Sequence, residues 1–76
     1  MIIKVKYMDK HTNFYSGKEY TYRTDLALTP LMKVLAPAGD PPEIKRAIVT
    51  QVNLPESTIS QEWADRVQKI TEVDKS

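Results

Sequence analysis

The chain has 76 residues, with 11 Lys and Arg against 10 Asp and Glu, and so a formal net charge of +1. Hydrophobic residues make up 41% and charged residues 28%, which is the mix of an ordinary soluble globular domain. These values exclude a two-domain enzyme, a collagen-like chain and an acidic disordered tail, and no apolar run approaches the ~18 residues that span a membrane.

Four strands are predicted in the first 54 residues, because apolar and polar side chains alternate there. The ranges are 2–8, 19–24, 31–36 and 45–54. Pro37 is expected to close the third strand, since proline cannot donate to a ladder. The strongest break is the stretch 38–42, which holds Gly39 and two prolines, and we expect a mobile loop there.

The hydrophobic period changes after Pro55. Apolar residues then recur at steps of four, four and three, which is typical of one stripe of a helix: Ile59, Trp63, Val67 and Ile70. We therefore expect a helix over roughly 59–71. The Trp63 ring should be buried against the sheet, with Val5, Val34 and Val49 among its neighbours. The alternative is that Trp63 belongs to a partner-binding groove between helix and sheet.

The predicted fold class is mainly β with a C-terminal helix. Residues 1–56 would form a small SH3-like or OB-like antiparallel β-barrel of four to five strands, and residues 57–76 a helix packed on it, within a single domain. The chain has no cysteine, and Met1 is not followed by a long apolar region. Both features favour a reducing cytoplasm as its location.

The sequence offers little catalytic chemistry. His11 is the single histidine, and its polar surroundings indicate a solvated turn. The acidic pairs Asp40 with Glu43 and Glu62 with Asp65 are explained by a loop and a helix start. A metal site needs several convergent ligands, and two glycines form no phosphate loop. We expect no enzymatic activity, no metal and no cofactor.

Aromatic and basic residues are interleaved in the first half of the chain. Residues 1–46 hold eight Lys or Arg and five Asp or Glu, which gives them a balance of +3. Single-stranded bases stack on aromatic rings while cations follow the phosphates. The predicted nucleic-acid contacts are Phe14, Tyr15, Lys18, Arg23, Lys33, Lys45 and Arg46. Two neighbouring tyrosines, Tyr20 and Tyr22, share a strand face and are expected to be core, whereas Phe14 or Tyr15 should be partly exposed.

Three runs resemble a known pattern. The ranges 20–26, 34–39 and 47–52 look like those of small uncharacterised phage and mobile-element proteins. Their order also resembles the N-terminal DNA-binding domain of the primosomal helicase that restarts replication forks, a small β-barrel that engages the 3′ end of a DNA strand. The resemblance spans about residues 1–54. Tyr20, Tyr22, Pro37 and Gly39 carry over by position.

The chain departs from that pattern at two points. Thr29-Pro30 replaces the Gly-Asp turn before the third strand, and Thr21 stands where the helicase pattern has an acidic residue between its aromatics. The helicase motor is absent, so ATP-driven activity is not implied. What the resemblance implies is a non-catalytic module that accompanies DNA replication and binds single- or double-stranded DNA.

Two alternatives remain open. One is a protein-interaction module that binds a replication or host protein, and the other is a small structural protein that assembles with copies of itself. Neither requires a membrane or a metal.

Overall fold

A computed structural model describes residues 1–39 and 41–75. Four strands come first: β1 (Ile2–Tyr7), β2 (Tyr20–Thr24), β3 (Lys33–Ala38) and β4 (Glu43–Leu54). Two 3₁₀ turns follow at Glu56–Thr58 and Ala64–Arg66, and then two short strands, β5 (Lys69–Ile70) and β6 (Glu72–Val73). The mainly β class is confirmed, and the four predicted strands lie within two residues of their predicted ends.

The strands form one sheet in the order β5-β2-β1-β4-β3-β6. β1 lies at its centre, antiparallel to β2 and β4, and β3 is antiparallel to β4. The two outermost strands, β5 and β6, are separated along the chain only by Thr71. The two ends of the sheet are therefore joined by one short segment, and the sheet is nearly closed into a barrel. It has six strands rather than four or five, and the β2–β5 pair is parallel.

The predicted C-terminal helix is wrong. The segment from 57 onward forms 3₁₀ turns and strands, and Trp63 is 55% exposed rather than buried against the sheet. The outer edges of β2 and β3 present backbone groups that need partners, and the β-branched residues near the end of the chain suit a strand. A short helix on the surface would leave those edges uncovered. None of the helical turns in the described residues approaches the length or apolarity of a membrane span.

The core follows from the alternation along β1, β3 and β4. Its buried members are Ile3, Val5, Tyr22, Leu28, Val34, Ala36, Ala47, Val49 and Ile70. Ile70, the second residue of β5, reaches the core by joining the sheet rather than by lying on a helical stripe. Trp63 lies on the same predicted helical stripe but stays outside the core, because it precedes the 3₁₀ turn Ala64–Arg66 whereas Ile70 belongs to β5.

Pro37 lies inside β3 rather than after it, which corrects its predicted role as a strand end. It sits opposite Ile44 of β4, and β6 pairs only with Val34 and Leu35. Its outer side therefore has no neighbouring strand to which an amide would donate, and a proline is tolerated at such an edge.

The polar turn after β1 is confirmed as a solvated turn. His11 is exposed, and its backbone amide donates to the Asp9 carboxylate at 2.7 Å. The carboxylate pair predicted at Asp40 and Glu43, like the mobility predicted for the 38–42 loop, involves a residue outside the described ranges.

A buried threonine joins β2 to the C-terminal segment. The Thr24 hydroxyl donates to the Ile70 carbonyl at 2.9 Å and accepts from the Leu26 amide at 3.1 Å. The Thr24 backbone also bonds to Met1, since its amide donates to the Met1 carbonyl at 3.0 Å. One side chain thus holds the closing strand, and a change there should weaken the whole barrel.

We expect Thr24→Val to lower the free energy of unfolding by about 1–3 kcal/mol, because it leaves the Ile70 carbonyl and the Leu26 amide without a partner. Urea unfolding measures the change. The matched control is Thr50→Val on β4, where the half-buried hydroxyl donates to the Lys4 carbonyl at 3.1 Å and water can replace it. Equal losses for the two variants would contradict the role assigned to Thr24.

Candidate functional site

The barrel is left open along part of its closing seam. β5 pairs only with Arg23 and Thr24 at the end of β2, and β6 pairs only with Val34 and Leu35 in the first half of β3. The start of β2 and the end of β3 extend beyond these pairings. A groove of about 360 Å³ lies there, which we call the seam groove, and its lining residues are Tyr7, Tyr20, Thr21, Tyr22, Pro37, Ala38, Gly39, Trp63, Arg66, Val67 and Gln68.

Three tyrosines build one wall of the seam groove. The rings of Tyr7 and Tyr20 stack with centroids 4.3 Å apart and planes inclined by 14°. Tyr22 is only 4% exposed, and its hydroxyl donates to the Pro37 carbonyl at 2.7 Å. The hydroxyls of Tyr7 and Tyr22 are also hydrogen-bonded to each other. These contacts hold the aromatic wall in one orientation.

The prediction that Tyr20 and Tyr22 are both core is correct for Tyr22 and wrong for Tyr20, which is 41% exposed. The two residues share a face of β2, but Tyr20 is the first residue of the strand and stands at the mouth of the groove. Tyr7 behind it continues the inward phase of Ile3 and Val5 on β1. A ring at a strand end can be in phase with the core and still reach solvent.

The segment after β4 contributes Trp63 and Arg66 to the lining of the groove. They lie three residues apart around a 3₁₀ turn, in which the Arg66 amide donates to the Trp63 carbonyl at 2.9 Å. The Arg66 guanidinium sits over the indole, 5.0 Å from the ring centre. The Gln68 side chain donates to the Gly39 carbonyl at 3.1 Å, which ties this segment to the end of β3.

A second cation stands next to the tyrosine wall. The Lys45 ammonium lies 5.4 Å from the centre of the Tyr7 ring. The seam groove thus has exposed aromatic surface from Tyr20 and Trp63 and one cation in its lining, Arg66, while Lys45 lies against the Tyr7 ring outside that lining. Stacked planar groups and negative charge are the chemistry that such a site favours.

The seven predicted nucleic-acid contacts do not converge on this groove, since none belongs to its lining within the described residues. Arg23 makes a two-pronged ion pair with Glu56 at 3.1 and 3.2 Å, and Arg46 lies 3.7 Å from Asp74. Lys45 is outside the lining of the seam groove, but its ammonium lies over the ring of Tyr7, which is part of that lining.

The remaining members of that set lie elsewhere on the surface. Phe14 is 72% exposed in the turn after β1, which confirms that one aromatic there faces solvent. Tyr15 is half-buried and bridges to Met8, while Lys18 and Lys33 are exposed. Aromatic and basic residues that are neighbours along the chain are therefore not brought together at one site by the fold.

All four positions that carry over from the resemblance do line the seam groove: Tyr20, Tyr22, Pro37 and Gly39. The residues that sequence reasoning missed are Tyr7, Arg66 and Gln68, together with the exposure of Trp63. Tyr7 follows the alternation of buried residues along β1, so the sequence pattern assigns it to the core rather than to a site. The spacing of Trp63 and Arg66 was the available signal, because it places a cation over an indole in a helical turn.

Outside the groove, two exposed ion pairs lower the pKa of their carboxyl groups. The Arg23 guanidinium beside Glu56 holds the pKa of that carboxyl below its usual range, mainly through their hydrogen bonds. Lys69 does the same for the pKa of Asp25 by donating to it. The described residues include no group of three or more His, Cys, Asp or Glu side chains placed to hold a metal ion.

A scan against protein-family models finds no matching family. Searches among curated proteins and among solved structures find no match either.

The tyrosine wall makes stability depend on pH in the alkaline range. Burial raises the pKa of both Tyr7 and Tyr22. Unfolded tyrosine titrates near ~10, so above that pH the unfolded chain releases protons that the folded chain retains. The stabilisation is fully present below pH ~10 and falls as the pH rises above it.

We expect urea unfolding midpoints to be level between neutral pH and about pH 9, and then to fall, with a shallower fall in Tyr22→Phe. Lysines titrate in the same pH range. Subtracting the unfolding midpoints of Tyr22→Phe from those of the wild type at each pH removes their contribution. Parallel curves for wild type and Tyr22→Phe above pH ~10 would contradict the burial of the Tyr22 hydroxyl.

Proposed function

We propose that the protein is a non-catalytic binding module for single-stranded nucleic acid, and that the seam groove receives the strand. The observation that carries the proposal is the presence in one groove of two exposed rings from different parts of the chain, Tyr20 and Trp63, with the Arg66 guanidinium over the indole. Bases stack on such rings regardless of sequence.

The shape of the groove favours a single strand over a duplex. A volume of about 360 Å³ suits flat groups entering one at a time rather than a helix. The bases of a duplex are stacked and paired, so their faces are unavailable to Tyr20 and Trp63 unless the duplex opens. Stacking on aromatic side chains is characteristic of proteins that bind unpaired strands.

Charge is expected to contribute less to the binding free energy than stacking does. The net charge of +1 gives little long-range attraction, and two of the predicted cations, Arg23 and Arg46, are engaged with carboxylates. Arg66 and Lys45 remain beside the rings, where they are placed to meet phosphates next to a stacked base. We therefore expect a shallow dependence of affinity on salt, with about one unit of slope per phosphate contact.

The proposal includes a biological setting. We propose that this module is an accessory of DNA replication, as its resemblance to phage and mobile-element proteins and to the DNA-binding domain of the replication-restart helicase implies. The four carried-over positions that line the seam groove support it, and so does the small barrel, since SH3-like and OB-like barrels often bind nucleic acid. A cytoplasmic location fits that role.

Binding is measured best through Trp63, the single tryptophan of the chain. We expect a single-stranded oligonucleotide of about eight nucleotides to quench its fluorescence on titration. Trp63→Ala, followed by anisotropy of a labelled strand, should lose ~1–3 kcal/mol of binding free energy with an unchanged salt slope. Lys45→Gln should instead flatten the slope by about one unit.

Phe14→Ala is the matched control, because it removes an aromatic ring outside the seam groove that is more exposed than Trp63, at 72% against 55%. It should leave the affinity unchanged. Absence of binding at millimolar protein would refute the proposed function. Equal losses for Phe14→Ala and Trp63→Ala would remove the seam groove as its site.

A second candidate function, protein interaction, is favoured by one other observation. A concave surface of about 580 Å³ beside the β1 turn combines the exposed side chain of Ile44 with Met8 and Lys45, and its two other cations, Lys10 and Arg46, lie 3.8 and 3.7 Å from Glu43 and Asp74. An acidic segment with an apolar residue would suit it. If adding an oligonucleotide changes no chemical shift of the protein, this second function is tested instead. Proteins captured by the wild type are then compared with those captured by Ile44→Asp, which serves as the negative control.

A further inference from the structure

The concave surface beside the β1 turn adjoins the seam groove. Lys45 has its ammonium 5.4 Å from the centre of the Tyr7 ring, and Tyr7 lines the seam groove. A strand that leaves the seam groove past Tyr7 therefore meets Lys45 and then the concave surface. We call this the basic surface, and the described residues that line it are Met8, Lys10, His11, Asn13, Ile44, Lys45 and Arg46.

The two surfaces differ in chemistry. Among the described residues, the lining of the basic surface holds three cations, Lys10, Lys45 and Arg46, and no Asp, Glu, Phe, Tyr or Trp. The seam groove has the exposed rings of Tyr20 and Trp63 and a single cation in its lining. Rings bind bases by stacking, whereas Lys and Arg bind the phosphates of the backbone. The basic surface is therefore suited to the sugar–phosphate chain, and the seam groove to the bases.

The ion pairs at the rim of the basic surface do not close it to a phosphate. The Lys10 ammonium lies 3.8 Å from the Glu43 carboxylate, and the two side chains are 83% and 68% exposed. An exposed pair of this kind contributes little and is screened by salt, so a phosphate can replace the carboxylate. Arg46 differs, because it lies 3.7 Å from Asp74, whose side chain is 5% exposed. We therefore assign the phosphate contacts to Lys10 and Lys45.

The backbone of the β1 turn is held on both sides of Lys10. The Asn13 amide donates to the Asp9 carbonyl at 2.8 Å, and the Asp9 amide donates to the Phe14 carbonyl at 2.8 Å. The Asp9 carboxylate accepts from the His11 amide at 2.7 Å. The turn that carries Lys10 is therefore formed before any ligand binds, which lowers the cost of ordering it on binding.

We infer that the basic surface is a second subsite for the same strand. Unpaired bases stack in the seam groove, and the phosphates of the adjoining nucleotides lie along the basic surface, first at Lys45 and then at Lys10. The inference rests on the proposed function, because it extends the strand that the seam groove holds. The second candidate function assigns this surface to a protein segment instead. The contact between Lys45 and the Tyr7 ring favours the strand, because it joins the two surfaces.

The test uses strands in which only two adjacent nucleotides carry a base. The remaining nucleotides, about six, are abasic, so they supply sugars and phosphates but nothing that can stack. The two bases thus fix the position of the strand in the seam groove. One version has ordinary phosphates in the abasic tail, and the other has uncharged methylphosphonates there. Each version is made with the bases at the 5′ end and with the bases at the 3′ end, so that both directions of the strand are measured.

In one of the two directions, we expect the charged tail to bind more tightly than the neutral tail and with a steeper dependence on salt. The two slopes should differ by ~1.4, which is ~0.7 for each of the phosphates that meet Lys45 and Lys10. The advantage of the charged tail should then shrink about sevenfold between about 50 and 200 mM salt. Anisotropy of a labelled strand measures the affinity, and quenching of Trp63, the single tryptophan, reports that the bases occupy the seam groove.

Lys10→Gln should weaken binding of the charged tail and remove about half of the difference in slope, because one of the two phosphate contacts is lost. Binding of the neutral tail should be unchanged. The matched control is Lys33→Gln, which removes the same charge from an exposed lysine outside the lining of both surfaces. It should leave the binding of both tails unchanged.

The outcomes separate the subsite from the proposed function. Equal affinity for the charged and neutral tails in both directions, with Trp63 quenched, overturns the subsite and leaves the proposed function standing. Equal effects of Lys10→Gln and Lys33→Gln also overturn the subsite, because the gain would then come from general electrostatic attraction. If no strand binds at millimolar protein, including one with a base on every nucleotide, the proposed function fails and the subsite with it.

Discussion

The structure depends on how the last strands close the sheet. β5 and β6 supply only two residues each, and these two short strands lie on opposite edges of the same sheet. Two residues are enough to satisfy part of each edge, and they bring Ile70 into the core and its carbonyl to Thr24. They are too few to cover β2 and β3 along their whole lengths. The seam groove is the part of the closure that remains open.

The open seam explains why the groove is aromatic. A strand edge without a partner exposes backbone groups, and proteins protect such edges with side chains or prolines. Here Pro37 removes one donor from the β3 edge, and its carbonyl is satisfied by the hydroxyl of Tyr22. The same side chains that protect the edge present flat rings to solvent. Structural protection and a surface for stacking thus come from one set of residues, and the proposed function makes use of both.

The sequence pattern is enough to predict the four long strands, but it does not predict how the last two strands close the sheet. Alternation placed β1 to β4, because one buried face imposes a period of two. The spacing of Ile59, Trp63, Val67 and Ile70 matched a helix, yet the competing demand came from β2 and β3, whose residues that pair with β5 and β6 are more than 30 positions away from them along the chain. A local pattern carries no information on edges that need partners elsewhere. Similarly, charge and aromatic content indicated a basic half, but the pairs Arg23–Glu56 and Arg46–Asp74 are visible only in three dimensions.

The central claim is that unpaired bases enter the open seam between β2 and the segment around Trp63. Intermolecular nuclear Overhauser effects test it directly, between base protons of a short single-stranded oligonucleotide and ring protons of the isotope-labelled protein. The account predicts contacts from the bases to both Tyr20 and Trp63 in one complex. Contacts confined to Phe14, or to the surface around Ile44, would contradict it.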